Sequence, residues 1–251
     1  MRLYKHFFML VALVQARMGS HRRPGKVLAD IAGRPMLWHV LHRLRNARRP
    51  DRIVVATSTA QQDDAIVRLC EEARIETFRG SEHDVLDRYY RAALACKADG
   101  VVRITADCPL VDPGVVDQVV SVFQAAKYDY VSNTIHRTFP VGLDVEVFSF
   151  AALARAWKEA EAEDQREHVT PYFRAAGDFV LSNVEWTGGP GLQDLRWTVD
   201  YEADLAYVRE IYRELYDGGA VFLFSDILNL IRRRPDLFRT GRPAGSEVQA
   251  I

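Results

Sequence analysis

The chain has 251 residues, 48% of them hydrophobic, and a formal net charge of −1 at pH 7. This length and apolar content predict one large folded domain and exclude a disordered chain. The near-zero net charge excludes binding to nucleic acid or to a membrane surface through overall charge.

The first apolar run, FFMLVALV at residues 7–14, follows a basic start, as in a secretory signal peptide. The run is short, lacks an A-x-A cleavage pattern and leads directly into a basic loop, so it predicts a buried first strand instead. No stretch is long enough to cross a membrane. The three cysteines show neither a pairing pattern nor a metal-ligand spacing, which is typical of a reducing compartment. We therefore expect a cytoplasmic protein with no membrane span.

Strands and helices alternate over the first half of the chain. This alternation predicts a parallel, doubly wound α/β sheet. Such sheets bind ligands at the carboxyl ends of their strands, where the loops at 15–26, 57–64 and 107–112 carry polar side chains. The predicted strands are 7–14, 53–58, 76–79, 101–107 and 129–132, and the predicted helices are 35–48, 61–74, 80–98 (after a loop) and 114–126.

The second half is less regular, and it contains no linker that indicates a separate domain. Pro171 is expected to break one of its helices in two. We expect a single domain over residues 1–239, followed by a mobile tail over 240–251. The predicted strands are 142–150, 179–186 and 195–200, and the predicted helices are 151–162, 167–176, 201–215 and 225–233.

The loop at 15–26 is the strongest candidate for ligand binding. It is not a P-loop, because the spacing from Gly19 to Lys26 is wrong and Val27 replaces the required Ser or Thr. Arg17 and Ser20, with Lys26, are suited to hold a triphosphate. A solvated basic turn is the alternative, but four cations within ten residues repel one another unless an anion is present.

Asp107 and Asp200 each end a predicted strand, where a magnesium ligand is expected. Alone, each carboxylate is equally suited to cap the helix that follows. Together they make a divalent-cation site plausible. The charged clusters at 83–88 and 166–168 are each interpreted, taken singly, as ordinary polar helix surface, although Glu167 and His168 are also a possible acid–base pair.

Seven segments resemble one family in content and order, and the resemblance runs from about residue 11 to residue 216. The family is the cytidylyltransferases, nearest to the branch of spore-coat polysaccharide biosynthesis proteins. The wider group activates sialic, legionaminic, pseudaminic and 3-deoxy-octulosonic acids as CMP-sugars. The segments are QARMGSHRRPGKVLADIAGRPML, FRGSEHDVLDRYY, RITADCPLVDP, YDYVSNT, GLDVEVFSF, REHVTPY and RWTVDYEADL.

The resemblance implies a Rossmann-type three-layer α/β sandwich of the nucleotide-diphospho-sugar transferase kind, with a mostly parallel mixed sheet. It implies a nucleotide-binding half to about residue 132, an acceptor and dimerisation half over 133–239, and a homodimer. It also implies binding of CTP and of Mg²⁺, the metal on Asp107 and Asp200.

The resemblance also assigns residues to roles. Arg17, Lys26 and Asp107 are implied to be catalytic. The implied nucleotide-binding residues are Gln15, Ala16, Arg17, Gly19, Ser20, Arg22, Lys26, Thr57, Asp87 and Arg88. The implied sugar-side residues are Asn133, Gly142, Asp144, Glu146, Arg166, Glu167 and His168.

The basic loop departs from the family pattern S-T-R-L-P-G-K at two positions. His21 and Arg23 replace the Thr and the Leu, whereas Ser20, Arg22 and Lys26 are retained. The retained residues keep the phosphate-binding chemistry. The departures leave open whether His21 and Arg23 contact a ligand.

These features predict transfer of CMP from CTP to a sugar or sugar acid, with release of pyrophosphate, for surface polysaccharide synthesis. One alternative is a metal-dependent glycosyltransferase that uses a nucleotide-sugar, although its usual Asp-x-Asp is replaced here by Asp107-Cys108-Pro109. A second alternative is a nucleotide-binding protein without turnover. The residues do not specify the acceptor.

Overall fold

The computed structural model describes residues 8–20, 22–189 and 191–238. Phe7 of the predicted first strand, His21 and the predicted mobile tail lie outside these residues. Within them, none of the helices is long and apolar enough to span a membrane.

The described residues contain a seven-stranded sheet and a separate two-stranded hairpin. The strands are β1 (Leu10–Gln15), β2 (Asp30–Ile31), β3 (Arg34–Pro35), β4 (Arg52–Ser58), β5 (Glu76–Gly80), β6 (Gly100–Thr105), β7 (Tyr130–Ser132), β8 (Glu146–Ser149) and β9 (Leu181–Asn183). The order across the sheet is β5-β4-β1-β6-β8-β7-β9, and β2 pairs with β3. Strands β5, β4, β1 and β6 are parallel, whereas β8 is antiparallel to both of its neighbours. The prediction of a mostly parallel mixed sheet is confirmed.

Helices cover both faces of this sheet. They are α1 (Met36–Leu44), α2 (Asp64–Glu72), α3 (Val85–Ala95), α4 (Pro113–Ala125), α5 (Phe150–Glu159), α6 (Glu163–His168), α7 (Pro171–Ala175), α8 (Glu202–Leu215) and α9 (Phe224–Arg233). The helix predicted at 167–176 is divided into α6 and α7, and α7 begins at Pro171, as expected for a residue without a backbone donor.

The central strand β1 shows why the fold has three layers. Because side chains alternate along a strand, Leu10, Ala12 and Val14 pack into one core with α1, α2, α4, α8 and α9. Val11 and Leu13 pack into a second core with α3, α5 and α7. All five side chains are fully buried, so the three-layer sandwich is confirmed.

The predicted strand at 195–200 is wrong. Leu195, Trp197 and Val199 are buried in alternation, as in a strand, but the backbone bonds to two separate loops. Trp197 N donates to Val141 O at 2.7 Å, and Val199 N donates to Asp107 O at 2.8 Å. The alternation therefore reflects packing against the core and not membership of the sheet. The strands predicted at 142–150 and 179–186 are likewise shorter, as β8 and β9.

Gly142 is the residue against which this segment packs. Its φ is +107°, and a Cβ there would lie 2.7 Å from the carbonyl carbon of Trp197 and 2.8 Å from Thr198 N. Real Cβ atoms do not approach backbone so closely. Gly142, implied above to be a sugar-side residue, therefore has a structural reason to be glycine.

We predict that Gly142→Ala lowers the free energy of unfolding by about 3 kcal/mol, because it adds an overpacking clash to an unfavourable φ. Gly177→Ala is the matched control, since Gly177 has φ +78° and nothing within 4 Å of its Cβ position. This control carries the backbone penalty alone, about 1 kcal/mol. Urea unfolding of both variants measures the difference, and equal losses would contradict the packing role of Gly142.

Candidate active site

A cavity of about 290 Å³ opens at the carboxyl ends of β1 and β6, the edge of the sheet at which the loops were predicted to meet. Nine predicted site residues line it: Gln15, Arg17, Ser20, Arg22, Lys26, Asp107, Glu167, His168 and Asp200. Four more lining residues were not predicted: Val27, Arg103, Thr105 and Ala106.

A buried carboxylate anchors the start of the basic loop. Asp63 is fully buried, and its Oδ1 accepts a hydrogen bond from Met18 N at 2.7 Å. Its Oδ2 accepts from Ser58 Oγ at 2.5 Å and from Thr57 Oγ1 at 3.1 Å. Thr57, implied to bind nucleotide, therefore faces this anchor and is not among the cavity-lining residues.

The end of the loop is a tight turn that returns the chain to the cavity. Ser20 N and Gly25 N both donate to Met18 O at 2.9 Å. Gly25 has φ +72°, in the left-handed region that glycine adopts without a steric penalty. One turn of 3-10 helix, Lys26–Leu28, follows directly and directs Lys26 inward.

Lys26 joins the two predicted metal ligands. Its Nζ donates to Asp107 Oδ2, to Asp200 Oδ1 and to the carbonyl oxygen of Val199, each at 2.9 Å. The Lys26 side chain is 9% exposed. The prediction that Asp200 ends a strand is wrong. Tertiary folding still brings its carboxylate to the same ammonium group that binds Asp107.

The charges of this cluster stabilise one another. Burial alone would lower the pKa of Lys26, but the negative charges of Asp107 and Asp200 outweigh burial and raise it above its ordinary value. Burial alone would raise the pKa of Asp107, but the charge and hydrogen bond of Lys26 hold it below its ordinary value. Lys26 and Asp107 are therefore ionised at neutral pH.

Asp200 has further cationic partners. Arg22 Nη1 lies 2.9 Å from Asp200 Oδ2, and Arg196 Nη2 donates to the same oxygen. Asp204 accepts from Asp200 N at 2.9 Å and from Tyr201 N at 2.8 Å, which orients the backbone that carries Asp200. Sequence reasoning missed Arg196; its position four residues before Asp200 in RWTVD was the available signal.

The loop departs from the family pattern at Arg23, which has a structural partner. Its guanidinium donates twice to Glu202 Oε2, at 3.0 and 2.7 Å. Glu202 is the first residue of α8, so this pair holds the loop against the segment that contains Asp200. His21 is not among the described residues.

The protein groups at Lys26 fit a hard divalent cation. Two carboxylate oxygens and one carbonyl oxygen converge on one point, and an ammonium already stands there as a cation. Within the described residues no group of three or more His, Cys, Asp and Glu forms a metal centre. Proteins usually bind Mg²⁺ through one or two carboxylates and leave the remaining coordination positions to phosphate oxygens and water.

The wall opposite the loop is the end of α6. Glu167 Oε1 lies 3.5 Å from Arg17 Nη2. Arg166 turns away from the cavity: its Nε donates to Asp84, and its Nη1 donates to Trp157 O at 2.7 Å. Arg166 therefore anchors α6 to the start of α3 and positions Glu167 and His168.

A strained turn follows His168. Val169 is buried with φ +71° and ψ −52°, a conformation that a β-branched residue rarely adopts. Thr170 N donates to His168 O at 2.8 Å across it. Such strain costs roughly 1–3 kcal/mol and tends to occur at functional sites. The turn directs His168 to the cavity and Thr170 to a buried carboxylate beneath it.

That carboxylate belongs to Glu146. It accepts from Tyr130 Oη at 2.6 Å, from Thr170 Oγ1 at 2.7 Å and from Arg103 Nη1. Glu146 was implied to be a sugar-side residue, but its side chain is 7% exposed, and it is Arg103 that reaches the cavity. Arg103 and Thr105 alternate with buried residues along β6, which was the signal for both.

The structure does not bring the other ten predicted residues to the cavity. Asn133 is buried and bonds to Val145 N at 2.9 Å, whereas Asp144 pairs with Arg137 at 2.6 Å. Asp87 accepts from Trp157 Nε1 at 2.8 Å. The ten residues are Ala16, Gly19, Thr57, Asp87, Arg88, Asn133, Gly142, Asp144, Glu146 and Arg166.

A family model described as cytidylyltransferase matches residues 11–185. The chain belongs to the cytidylyltransferase family. It is a CTP-dependent nucleotidyltransferase. The individual roles of the nine predicted lining residues stay predictions.

Named relatives extend this match. The chain is 32% identical over 237 residues to the spore coat polysaccharide biosynthesis protein SpsF of Bacillus subtilis, covering 90% of this chain and 95% of that protein. It is 36% identical over 115 residues to the 3-deoxy-manno-octulosonate cytidylyltransferase of Trichlorobacter lovleyi, 45% of this chain and 44% of that one. A solved cytidylyltransferase from Leptospira borgpetersenii superposes with a TM-score of 0.88 at 27% identity, covering 94% and 99% of the two chains.

We predict that Glu146→Gln lowers the free energy of unfolding by about 3 kcal/mol at pH 7, because it leaves Arg103 without its buried counter-charge. Burial alone would raise the pKa of Glu146, but Arg103 and the hydrogen bonds of Tyr130 and Thr170 hold it below its ordinary value of 4.5.

The contribution of Glu146 to the free energy of unfolding depends on pH. A carboxylate whose pKa is lower in the folded state adds stability above its unfolded pKa, and this stability is lost as the pH falls through the folded pKa. The difference in unfolding free energy between wild type and Glu146→Gln should therefore be full at pH 7 and shrink below about pH 4.5. Urea midpoints across this range measure it; a difference independent of pH would rule out the ionised pair.

Proposed function

We propose that the protein transfers CMP from CTP to a sugar acid, with Mg²⁺ as the metal, in the synthesis of a surface polysaccharide. The observation that carries this proposal is the convergence of Lys26, Asp107 and Asp200 at the end of the basic loop. The named relatives support it: one acts in spore coat polysaccharide biosynthesis and the other on 3-deoxy-manno-octulosonate.

The basic loop would hold the triphosphate. Arg17, Arg22 and Lys26 line the cavity with Ser20, and guanidinium and ammonium groups form short, charge-assisted bonds to phosphate oxygens. Positioning and charge neutralisation supply most of the catalysis in phosphoryl transfer. The same cations would stabilise the pyrophosphate as its bond to the α-phosphorus breaks.

Asp107 and Asp200 would hold the metal. When bound, Mg²⁺ neutralises phosphate oxygens and favours ionisation of a nearby hydroxyl. Arg196 and Asp204 would orient Asp200, whereas Asp107 would act from the carboxyl end of β6.

The acceptor would lie against the end of α6. Its hydroxyl oxygen forms the new bond to the α-phosphorus, and Glu167 and His168 line this wall as groups able to accept the hydroxyl proton. Arg103 provides a cation on the same side of the cavity, and a carboxylate on the acceptor is the kind of group it would attract.

We also propose a cytoplasmic homodimer, as the family resemblance implies. Val180 and Phe238 are large apolar side chains, 52% and 51% exposed, and are suited to a subunit contact. Light scattering of the purified chain would test the dimer, and a monomer at all concentrations would overturn it.

A pyrophosphate-release screen tests the proposed reaction. The common nucleoside triphosphates are offered with sugar acids, including 3-deoxy-octulosonic acid, and with neutral sugars as controls. Release that requires both CTP and an acidic acceptor is expected. Transfer from a supplied nucleotide-sugar would favour a glycosyltransferase instead, and CTP binding without release against any acceptor would favour a protein without turnover.

We predict that Asp107→Asn lowers kcat by about 100-fold or more, the usual cost of losing a preorganised charge at a transition state. The neutral amide keeps the shape of the side chain, so the fold should be retained, as circular dichroism would check. Asp178→Asn is the control, because Asp178 is 58% exposed and pairs with Arg155 outside the cavity. Near-normal turnover of Asp107→Asn would exclude Asp107 as a metal ligand.

A further inference from the structure

The ammonium of Lys26 has no donor left for a ligand. An ammonium carries three N–H donors, and in Lys26 they are directed to Asp107, Asp200 and Val199 O, each at 2.9 Å. Lys26 cannot bind a phosphate in this arrangement without giving up one of these bonds. Its position is also the one that a divalent cation between Asp107 and Asp200 would take.

The cluster around this position is electrically balanced. Lys26, Arg22 and Arg196 carry three positive charges, and Asp107, Asp200 and Asp204 carry three negative ones. A divalent cation arriving alone would have to expel Lys26 from good partners. It would also leave an excess of positive charge in a largely buried place, which is unfavourable at low dielectric.

A triphosphate changes this balance. Its charge compensates both the metal and the displaced ammonium, and its oxygens accept the donors that Lys26 gives up. The exchange is therefore favourable only when the metal and the triphosphate are both present.

We propose that Lys26 acts as a place-holder between Asp107 and Asp200, so that the divalent cation and the nucleoside triphosphate bind together and the metal alone binds weakly. This proposal rests on the proposed function, since it assigns the metal to the same two carboxylates. The opposite possibility is a permanent cross-link, in which Lys26 only ties the basic loop to the segment at 195–200.

Manganese binding to the full chain distinguishes the two. Mn²⁺ is titrated without nucleotide and the free ion is followed by electron paramagnetic resonance, for the wild type and for Lys26→Met. A place-holder predicts that Lys26→Met binds Mn²⁺ about tenfold or more tightly than the wild type, because a competing positive charge has left the site. For the wild type, adding CTP should produce tight binding of Mn²⁺ to the protein, seen as a fall in free Mn²⁺ beyond that caused by the same CTP without protein.

Two further variants locate the effect. Lys158→Met removes a lysine on an exposed part of α5, and it should bind Mn²⁺ as the wild type does. Adding Asp200→Asn to Lys26→Met should abolish the gain, since one of the two carboxylates is then neutral. If Lys26→Met does not fold by circular dichroism, Lys26→Gln vacates the same position with a polar side chain.

The outcomes separate this proposal from the proposed function. Equal Mn²⁺ affinity in wild type and Lys26→Met, or wild-type binding as tight without CTP as with it, would overturn the place-holder even if the enzyme releases pyrophosphate. The expected tenfold gain would support the place-holder even if no acceptor gave release in the screen, a result that would overturn the proposed reaction alone.

Discussion

The site depends on one buried cation between two carboxylates. Lys26 meets Asp107 across 81 residues of sequence and Asp200 across 174, and it thereby joins the loop after β1, the end of β6 and the segment before α8. Without the ammonium, two carboxylates would face each other in a largely buried place, where like charges are strongly unfavourable. The interaction therefore fixes the geometry of the cavity as well as its charge.

Two other buried carboxylates support this arrangement without taking part in it. Asp63 accepts hydrogen bonds from Met18 N and from the hydroxyls of the last two residues of β4, Thr57 and Ser58, and it fixes where the basic loop begins. Glu146 receives Arg103, Tyr130 and Thr170, and it fixes the wall made by α6. Both are saturated by protein donors, whereas the Asp107 side chain is 28% exposed. The exposure of Asp107 leaves its carboxylate accessible to a ligand.

Much of the fold was predictable because its signals are local. The buried runs of β1, β4 and β6 and the helices between them give the parallel half of the sheet, and Pro171 correctly predicts the division between α6 and α7. The strand predicted at residues 195–200 is wrong, because apolar and polar side chains alternate along an extended segment that packs on the core just as they do along a strand. Its backbone partners, Val141 and Asp107, are distant in sequence, and hydrophobic alternation contains no information about them.

By itself, the sequence determined the family, the parallel core and the residues that can carry phosphate and metal chemistry, because charge, periodicity and motif order are local properties of a chain. Only the tertiary structure decided which of these residues meet. It placed Glu167 and His168 at the cavity and withdrew Arg166, Glu146 and Thr57 into supporting contacts. It also set the ammonium of Lys26 between Asp107 and Asp200. The reason is physical: a buried polar group must be satisfied by whatever partner folding brings to it, and that partner is chosen by packing and not by position along the chain.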